Sequence, residues 1–260
     1  MKKFSIRDNI AHWNEFAINH KNNKMGATYD ESLSELENYF IISELKRIKP
    51  NSLFDIGCGN GQRTALFSHY VNGKTFGIDY SEEMINQANT IKKRNLFFER
   101  VDINKYSSDD KFDVIISCRC IINQPTTDLQ VKLFRKLHKM LKPKGYLIIA
   151  EASMEGLENL NRLRKDFGLG NIEEHWFNLH IKEKNIFPKI KDLYKIIEIK
   201  RLGLYYYIAR VIQPATMYPK EPKRGSIMDK LAKKTQLIFF NDDTNFEKYG
   251  RHLLGILQKK

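Results

Sequence analysis

Three glycines on alternate positions, Gly57, Gly59 and Gly61, follow an apolar run that carries an acid, Leu53-Phe54-Asp55-Ile56. A second apolar run closes on Asp79, 22 residues after Gly57. Glycine removes the Cβ atom where a chain must turn tightly and lets a ligand lie against backbone N–H groups. An acid at the end of the next strand can accept hydrogen bonds from both hydroxyls of a ribose. This is the layout of a site for a nucleoside-bearing cofactor. A dinucleotide fingerprint reads G-x-G-x-x-G, whereas this loop is Gly57-Cys58-Gly59-Asn60-Gly61 with Asp55 ahead of it. Asp55 would repel a pyrophosphate and help to hold an ammonium group, so the loop suits an amino-acid tail.

Successive motifs from Leu53 to Glu151 resemble those of the class I S-adenosylmethionine-dependent methyltransferases, of the stand-alone small-molecule type. LFDIGCGNG, with Asp55, Gly57, Cys58, Gly59 and Gly61, resembles the loop that passes the methionine part of the cofactor. GIDYSEEMINQA, Gly77 to Ala88, is similar to the ribose segment, which implies Asp79 on the hydroxyls and Tyr80 or Met84 against the adenine. FFERVDI, Phe97 to Ile103, resembles the third strand, with Asp102 meeting the adenine amino group and Ile103 packing on the ring. FDVIIS resembles the fourth strand, whose end at Cys118 faces the transferred methyl group, and LHKMLKPKGYLIIAE resembles the helix, turn and fifth strand. The resemblance implies S-adenosyl-L-methionine as cofactor and S-adenosyl-L-homocysteine as product. An acid after a strand is also a common helix cap, and an apolar residue on an amphipathic helix is usually core, so Asp102 and Met84 each have a structural reading too.

Segments after the fourth and fifth strands supply acceptor-side candidates. Arg119 and Asn123 in CRCIINQ could orient a polar or anionic acceptor. Glu151, then Asn161 and Arg164 in GLENLNRLR, then Trp176, Asn178 and His180 in HWFNLHIKE form a succession that resembles the acceptor pocket of some small-molecule methyltransferases. Each also reads as a helix-surface ion pair or a packed aromatic. Tyr206, on a strand, would face oppositely from Tyr205 and Tyr207, and is the further substrate-side candidate. A hydroxyl acceptor would benefit from a general base, for which His180 and Glu151 are the candidates. A phosphate oxygen would need none, and Arg119 or Arg164 would then position it. The run SCRCIINQP departs from the Asn/Asp-Pro-Pro-Tyr/Phe motif of amino-methylating nucleic-acid enzymes and lacks the Pro-Cys of cytosine C5 methyltransferases.

The elements that must position these residues alternate. Strands are expected near 52–57, 75–79, 96–101, 112–117 and 145–151, with helices between them. That pattern predicts an α/β fold, a Rossmann-like doubly wound, seven-stranded, mostly parallel sheet with ligands at the carboxyl ends of its strands. Ahead of it, LSELENYFIISELKRI has helical spacing, capped by Asp30 or Ser32 and ended by Pro50. Behind it, 152–192 reads as a mostly helical insertion. The runs at 196–202 and 204–212, split by Gly203, are expected as an antiparallel hairpin. Residues 214–247 form an irregular and helical insert, and 252–257 a last apolar run. The expectation is one methyltransferase domain over 1–260: a helical lid at 1–50, a cofactor core at 51–151, and substrate-cap insertions at 152–192 and 214–247.

Composition fits one α/β domain with a good core, at 260 residues and 42% hydrophobic content. No apolar stretch follows the first lysines and none is long enough to cross a bilayer, so neither a secretory leader nor membrane insertion is expected. Three cysteines, Cys58, Cys118 and Cys120, suit a reducing, cytoplasmic compartment, and no partner stands at metal-ligand spacing. The net charge of +13 is uneven: residues 181–260 hold 18 Lys and Arg against 8 Asp and Glu. The expected partner is a small acceptor, anionic or nucleotide-linked, such as a metabolite, an activated sugar or a phosphate-bearing precursor methylated on oxygen. RNA is the alternative, a non-catalytic adenosylmethionine-binding module the third reading and a nicotinamide dehydrogenase the fourth. Steep salt dependence would favour RNA.

Overall fold

Alternate side chains of a strand point to opposite faces, and a strand buried on both faces must be apolar on both. The computed structural model, which describes residues 4–21, 30–242 and 245–260, has seven strands, of which the central ones meet that condition while the two edge strands stay partly exposed. The seven are β1 (Ser52–Ile56), β2 (Lys74–Asp79), β3 (Leu96–Arg100), β4 (Phe112–Cys118), β5 (Leu141–Ala152), β6 (Tyr194–Arg201) and β7 (His252–Lys259). Their order is β3-β2-β1-β4-β5-β7-β6. The first five pair in parallel, and β7 is antiparallel to both its neighbours. The five core strands lie where the sequence pattern puts them, except that β5 begins earlier, at Leu141.

Ten α-helices are seen among the described residues: α1 (Ile6–Asn19), α2 (Glu31–Ile48), α3 (Gln62–Phe67), α4 (Glu82–Ala88), α5 (Thr127–Met140), α6 (Met154–Asp166), α7 (Glu183–Ile190), α8 (Gly203–Tyr207), α9 (Gln213–Met217) and α10 (Ile227–Ile238). Phe54, Ile115, Leu147 and Leu257 pack on one side of the sheet with Phe134 and Leu137 of α5 and Ile186 of α7. Leu53, Val114, Ile116, Ile148 and Leu254 pack on the other with Phe40 and Ile41 of α2, Leu160 of α6 and Tyr205 of α8. Asp30 caps α2, its carboxylate accepting from the Leu33 amide at 3.0 Å, and Lys49 ends the helix in the left-handed region just before Pro50. Part of the expected N-terminal helical segment, residues 22–29, lies outside the described residues. No helix among those described is long and apolar enough to cross a membrane.

One element differs from the sequence reading. The run LYYYIARVI does not form the second strand of a hairpin; α8 passes into a π turn, Ile208–Ile212, and then into α9. The antiparallel partner of β6 is instead β7, the last apolar run of the chain. A strand would send Tyr205 and Tyr206 to opposite faces, but both are buried here, together with Ala209 and Val211, beneath α2 and α10. Burial of the whole run against one layer overrides its β-propensity. The position beside β5 that such a strand would have reached is filled by β7.

Gly203 begins this helical turn under the backbone of Phe246: a Cβ there would lie 2.1 Å from the Phe246 carbonyl oxygen and 2.2 Å from its carbon. Backbone atoms cannot yield as a side chain tip can, so Gly203→Ala should lower unfolding free energy by about 1–3 kcal/mol, read by chemical denaturation. An unchanged denaturation midpoint would contradict that packing.

Candidate active site

The turn after β1 is tight: Gly57, Gly59 and Gly61 have φ of 68°, 56° and 74°, the Cys58 amide donates to Ile78 O at 2.9 Å and the Gly61 amide to Cys58 O at 3.1 Å. A Cβ on Gly57 would lie 2.8 Å from Cys120 Cβ and Sγ, so only glycine lets the two loops pass. A Cβ on Gly59 would meet only Met84 Sδ, at 3.8 Å, because that part of the loop lies along the wall of a cavity. Asp79 ties the turn to the next strand, accepting from the Gly59 amide at 3.0 Å and the Ser81 amide at 2.8 Å. Asp55 accepts from Thr64 Oγ1 at 2.6 Å. Burial raises both carboxyls to about 6, against the hydrogen bonds from Thr64 on Asp55 and from the Ser81 and Gly59 amides on Asp79. Two such acids on one wall favour a ligand with positive charge.

The cavity has a volume of about 630 Å3 and lies over the carboxyl ends of the parallel strands. At one end Asp79, Tyr80, Met84 and Ile103 form the wall, and Trp13 and Phe16 of α1 close it. Asn123 ties this end together. Its Oδ1 accepts from Trp13 Nε1 at 2.8 Å and from the Tyr80 hydroxyl at 3.3 Å, while its Nδ2 donates to Arg119 O at 3.2 Å and Asn178 Oδ1 at 3.0 Å. A flat heterocycle fits the aromatic end, and the acid at Asp79 stands at its edge.

The other end is polar and rich in arginine. Arg63, Arg119, Arg164, Arg210, Arg224 and Arg251 reach the wall. Arg63 Nη1 lies 3.0 Å and Arg119 Nη2 3.6 Å from Glu37 Oε2, and Arg210 pairs with Asp30 and Asp229. Arg164, Arg224 and Arg251 have no carboxylate at ion-pair distance among the described residues. On the floor, the Tyr206 hydroxyl and His252 Nδ1 are 2.5 Å apart, and His252 Nε2 is 3.4 Å from Glu37 Oε1. Burial, and then Arg251, hold both His180 and His252 well below the ordinary imidazole range, so both are neutral near pH 7.

Most residues read from the sequence come together here. On the cofactor side Asp55, Gly57, Cys58, Gly59, Asp79, Tyr80, Met84, Ile103 and Cys118 reach the cavity, and on the acceptor side Arg119, Asn123, Arg164, Asn178, His180 and Tyr206 do so. Five do not line it. A Cβ on Gly61 would lie 2.6 Å from Phe98 Cζ, so that glycine serves packing behind the loop. Asp102 Oδ1 accepts from the Asn104 amide at 2.9 Å and its side-chain amide at 3.0 Å, as a local turn. Asn161 spends its amide on the backbone of Ile172. Trp176 is 53% exposed, with its ring edge-on to His12 and Phe177. Glu151 is wholly buried and accepts from Ser117 Oγ at 2.5 Å and from the amides of Cys120, Ile121 and Ile122 at 3.0–3.2 Å. Its carboxylate holds the loop after β4. Trp13, Arg63, Arg251 and His252 were not read from the sequence; Arg251 immediately precedes β7 and His252 opens it, and placing that strand beside β5 would have pointed them at the site.

The family model described as a methyltransferase domain matches residues 49–201, more than half of the chain. The chain belongs to this family. It stands among the class I S-adenosylmethionine-dependent methyltransferases that its motifs resemble. This methyltransferase is 27% identical over 169 residues to a protein of Invertebrate iridescent virus 6 named as a methyltransferase, an alignment covering 63% of this chain and 58% of that one. It is 30% identical over 130 residues to the phosphoethanolamine N-methyltransferase of Plasmodium falciparum (isolate 3D7), covering 49% and 48%. The chain thus spans about half the length of the curated relatives it matches. Among solved structures, the magnesium protoporphyrin IX methyltransferase of Synechocystis PCC 6803, with bound SAH, superposes with a TM-score of 0.63 at 13% identity over 98% of this chain and 100% of that one. At that identity the likeness speaks for the fold.

Proposed function

We propose that this methyltransferase acts in the cytoplasm on a small anionic acceptor, moving a methyl group from S-adenosylmethionine to it inside the enclosed cavity. Bound S-adenosylmethionine supplies an electrophilic methyl group, and the protein's task is to align an acceptor lone pair with it and exclude water. Asp79 would hold the ribose hydroxyls, the loop Gly57–Gly61 and Asp55 the cationic amino-acid tail, and Tyr80, Met84 and Ile103 the adenine. Helix α1, residues 171–180 and the segment around 214–224 would close over the acceptor, as the lid and caps expected from the sequence.

The observation that carries the anionic reading is the excess of arginine on the acceptor wall, where neither Arg164 nor Arg251 has a carboxylate at ion-pair distance among the described residues. Arg164 donates through Nε to Gly170 O at 2.8 Å and through Nη1 to Arg210 O, and Glu221 on the same wall offsets only part of the local positive charge. Arg251 Nε is buried without a hydrogen-bond partner. A guanidinium in that state favours a carboxylate or phosphate. The Plasmodium relative, named for a phosphate-bearing acceptor, supports the same class. His180 and the Tyr206–His252 pair stand where a general base would, should the accepting atom carry a proton.

Calorimetric titration with S-adenosylmethionine and S-adenosylhomocysteine, with NAD as control, tests the cofactor half; absence of binding by the first two would overturn it. An acceptor screen beginning with phosphorylated and nucleotide-linked metabolites follows. On the acceptor found, Arg251→Ala should raise KM by about 10-fold to 100-fold, as expected for one charge-assisted contact, with cofactor affinity unchanged. An unaltered KM would remove Arg251 from the acceptor site.

A further inference from the structure

Helix α10 carries large apolar side chains on the face it turns away from the core. Its inward face is mixed: Ala232 is buried in the core and Leu237 packs against it, but Asp229 and Gln236 are buried too, Asp229 paired with Arg210 Nη1 at 2.9 Å and Gln236 Oε1 accepting from the Tyr205 amide at 3.0 Å. Its outward face carries Ile227, Leu231 and Ile238, which are 87%, 50% and 74% exposed. At 100° per residue these three fall within about 40° of one another, with Lys234 and then Lys230 along one side of the stripe. Phe239, just past the helix, is also exposed. An amphipathic helix normally turns its largest apolar side chains to the core, and this one turns Ile227, Leu231 and Ile238 outward while burying Asp229 and Gln236.

Charge narrows the occupant. Residues 214–239 hold six Lys and Arg against two acids. A second copy of the chain docked face to face through a two-fold axis would bring the Lys230 and Lys234 pair of one copy to the same interface as that of the other. An anionic lipid surface accepts the apolar side chains between its headgroups and the lysines among its phosphates. The segment is also continuous with the cavity, since Pro214, Pro222 and Arg224 line its wall. We propose that the outer face of α10 docks this methyltransferase on an anionic membrane surface, with the acceptor end of the cavity beside the bilayer. The inference is independent of which acceptor is methylated.

The test is co-sedimentation of the full chain with phosphatidylcholine vesicles, with and without about 30 mol% phosphatidylserine, at low and at near-physiological salt. Pelleting with the anionic vesicles only, weakened by salt, is the expected result. Ile227→Ser combined with Ile238→Ser should lower the partition coefficient at least about tenfold, and Lys230→Glu combined with Lys234→Glu should do the same. All four side chains point outward, so melting temperature and S-adenosylhomocysteine affinity should stay at the wild-type values in both variants. Absence of pelleting on anionic vesicles, or equal pelleting of wild type and variants, would overturn the proposal. So would a dimer in light scattering that both variants abolish, which would assign the face to a second copy.

Discussion

Asp79→Ala should lower S-adenosylhomocysteine affinity by about 100-fold or more while the protein still folds. Two hydrogen bonds to a carboxylate, each worth about 1.5–3 kcal/mol, set that scale. The variant also frees the Gly59 and Ser81 amides that Asp79 now holds, so the loop loosens where the ligand would lie. Titration calorimetry reads the affinity, and circular dichroism reads the fold. Wild-type affinity in the variant would sink the assignment of Asp79 to the ribose. The same carboxyl sets a pH dependence. Its level of about 6 lies above the ordinary 3.8, so its contribution to folding is present at low pH and is lost as pH rises through about 6. Ligand binding runs the other way, because the hydroxyls need the ionised form as acceptor. Affinity should therefore be level above about pH 7 and fall, by up to about tenfold per unit, below about pH 6.

Glu151→Ala should lower unfolding free energy by about 3–5 kcal/mol. The substitution removes the acceptor of one hydroxyl and three backbone amides, all buried, and an unsatisfied buried donor costs about 1–3 kcal/mol. Chemical denaturation gives the value, and S-adenosylhomocysteine affinity should fall with it, since Cys120 packs against the Gly57 turn. Glu151→Gln separates two roles for the residue. Its amide oxygen can still accept from the loop amides, so a loop anchor predicts partial recovery of stability and turnover together. A variant with wild-type stability and abolished turnover would restore Glu151 to the role of general base. The Glu151 carboxyl, raised to about 7 by burial in spite of the Ser117 and amide hydrogen bonds, adds to the loss of stability on raising pH.

The core strands were legible because strands buried on both faces leave continuous apolar runs, and because the glycine loop and Asp79 mark their carboxyl ends. Tyr205 to Ile212 was illegible for a related reason. Aromatic and β-branched residues favour a strand only where a sheet receives them, and here they enter a layer of helices. The acids at strand ends were visible as residues but ambiguous as chemistry. Asp79 faces the cavity, while Glu151 turns its carboxylate toward Cys120, Ile121 and Ile122, and the distinction rests on where the following loop doubles back. Arg251 and His252 lie more than 130 residues from Arg119, and only the return of β7 beside β5 brings them to the same wall.

The stretch between β6 and β7 has its two ends side by side: the Leu202 amide reaches the His252 carbonyl at 3.4 Å. Everything from Gly203 to Arg251 leaves the sheet and returns to it at nearly one point. The cost of closing a loop depends only weakly on its length once its ends are fixed. Within this stretch, which carries Tyr206, Arg210, Arg224 and the outward face of α10, the outer turns around 214–226 can therefore change in length at little entropic cost, while Tyr205, Tyr206, Ala209, Val211 and Ala232 must keep their packing on the sheet. The segment on the acceptor wall and the strands that hold Asp79 thus meet only at this one junction and through the packed core, so a change in the outer turns reaches the acceptor wall without passing through the Gly57–Gly61 loop.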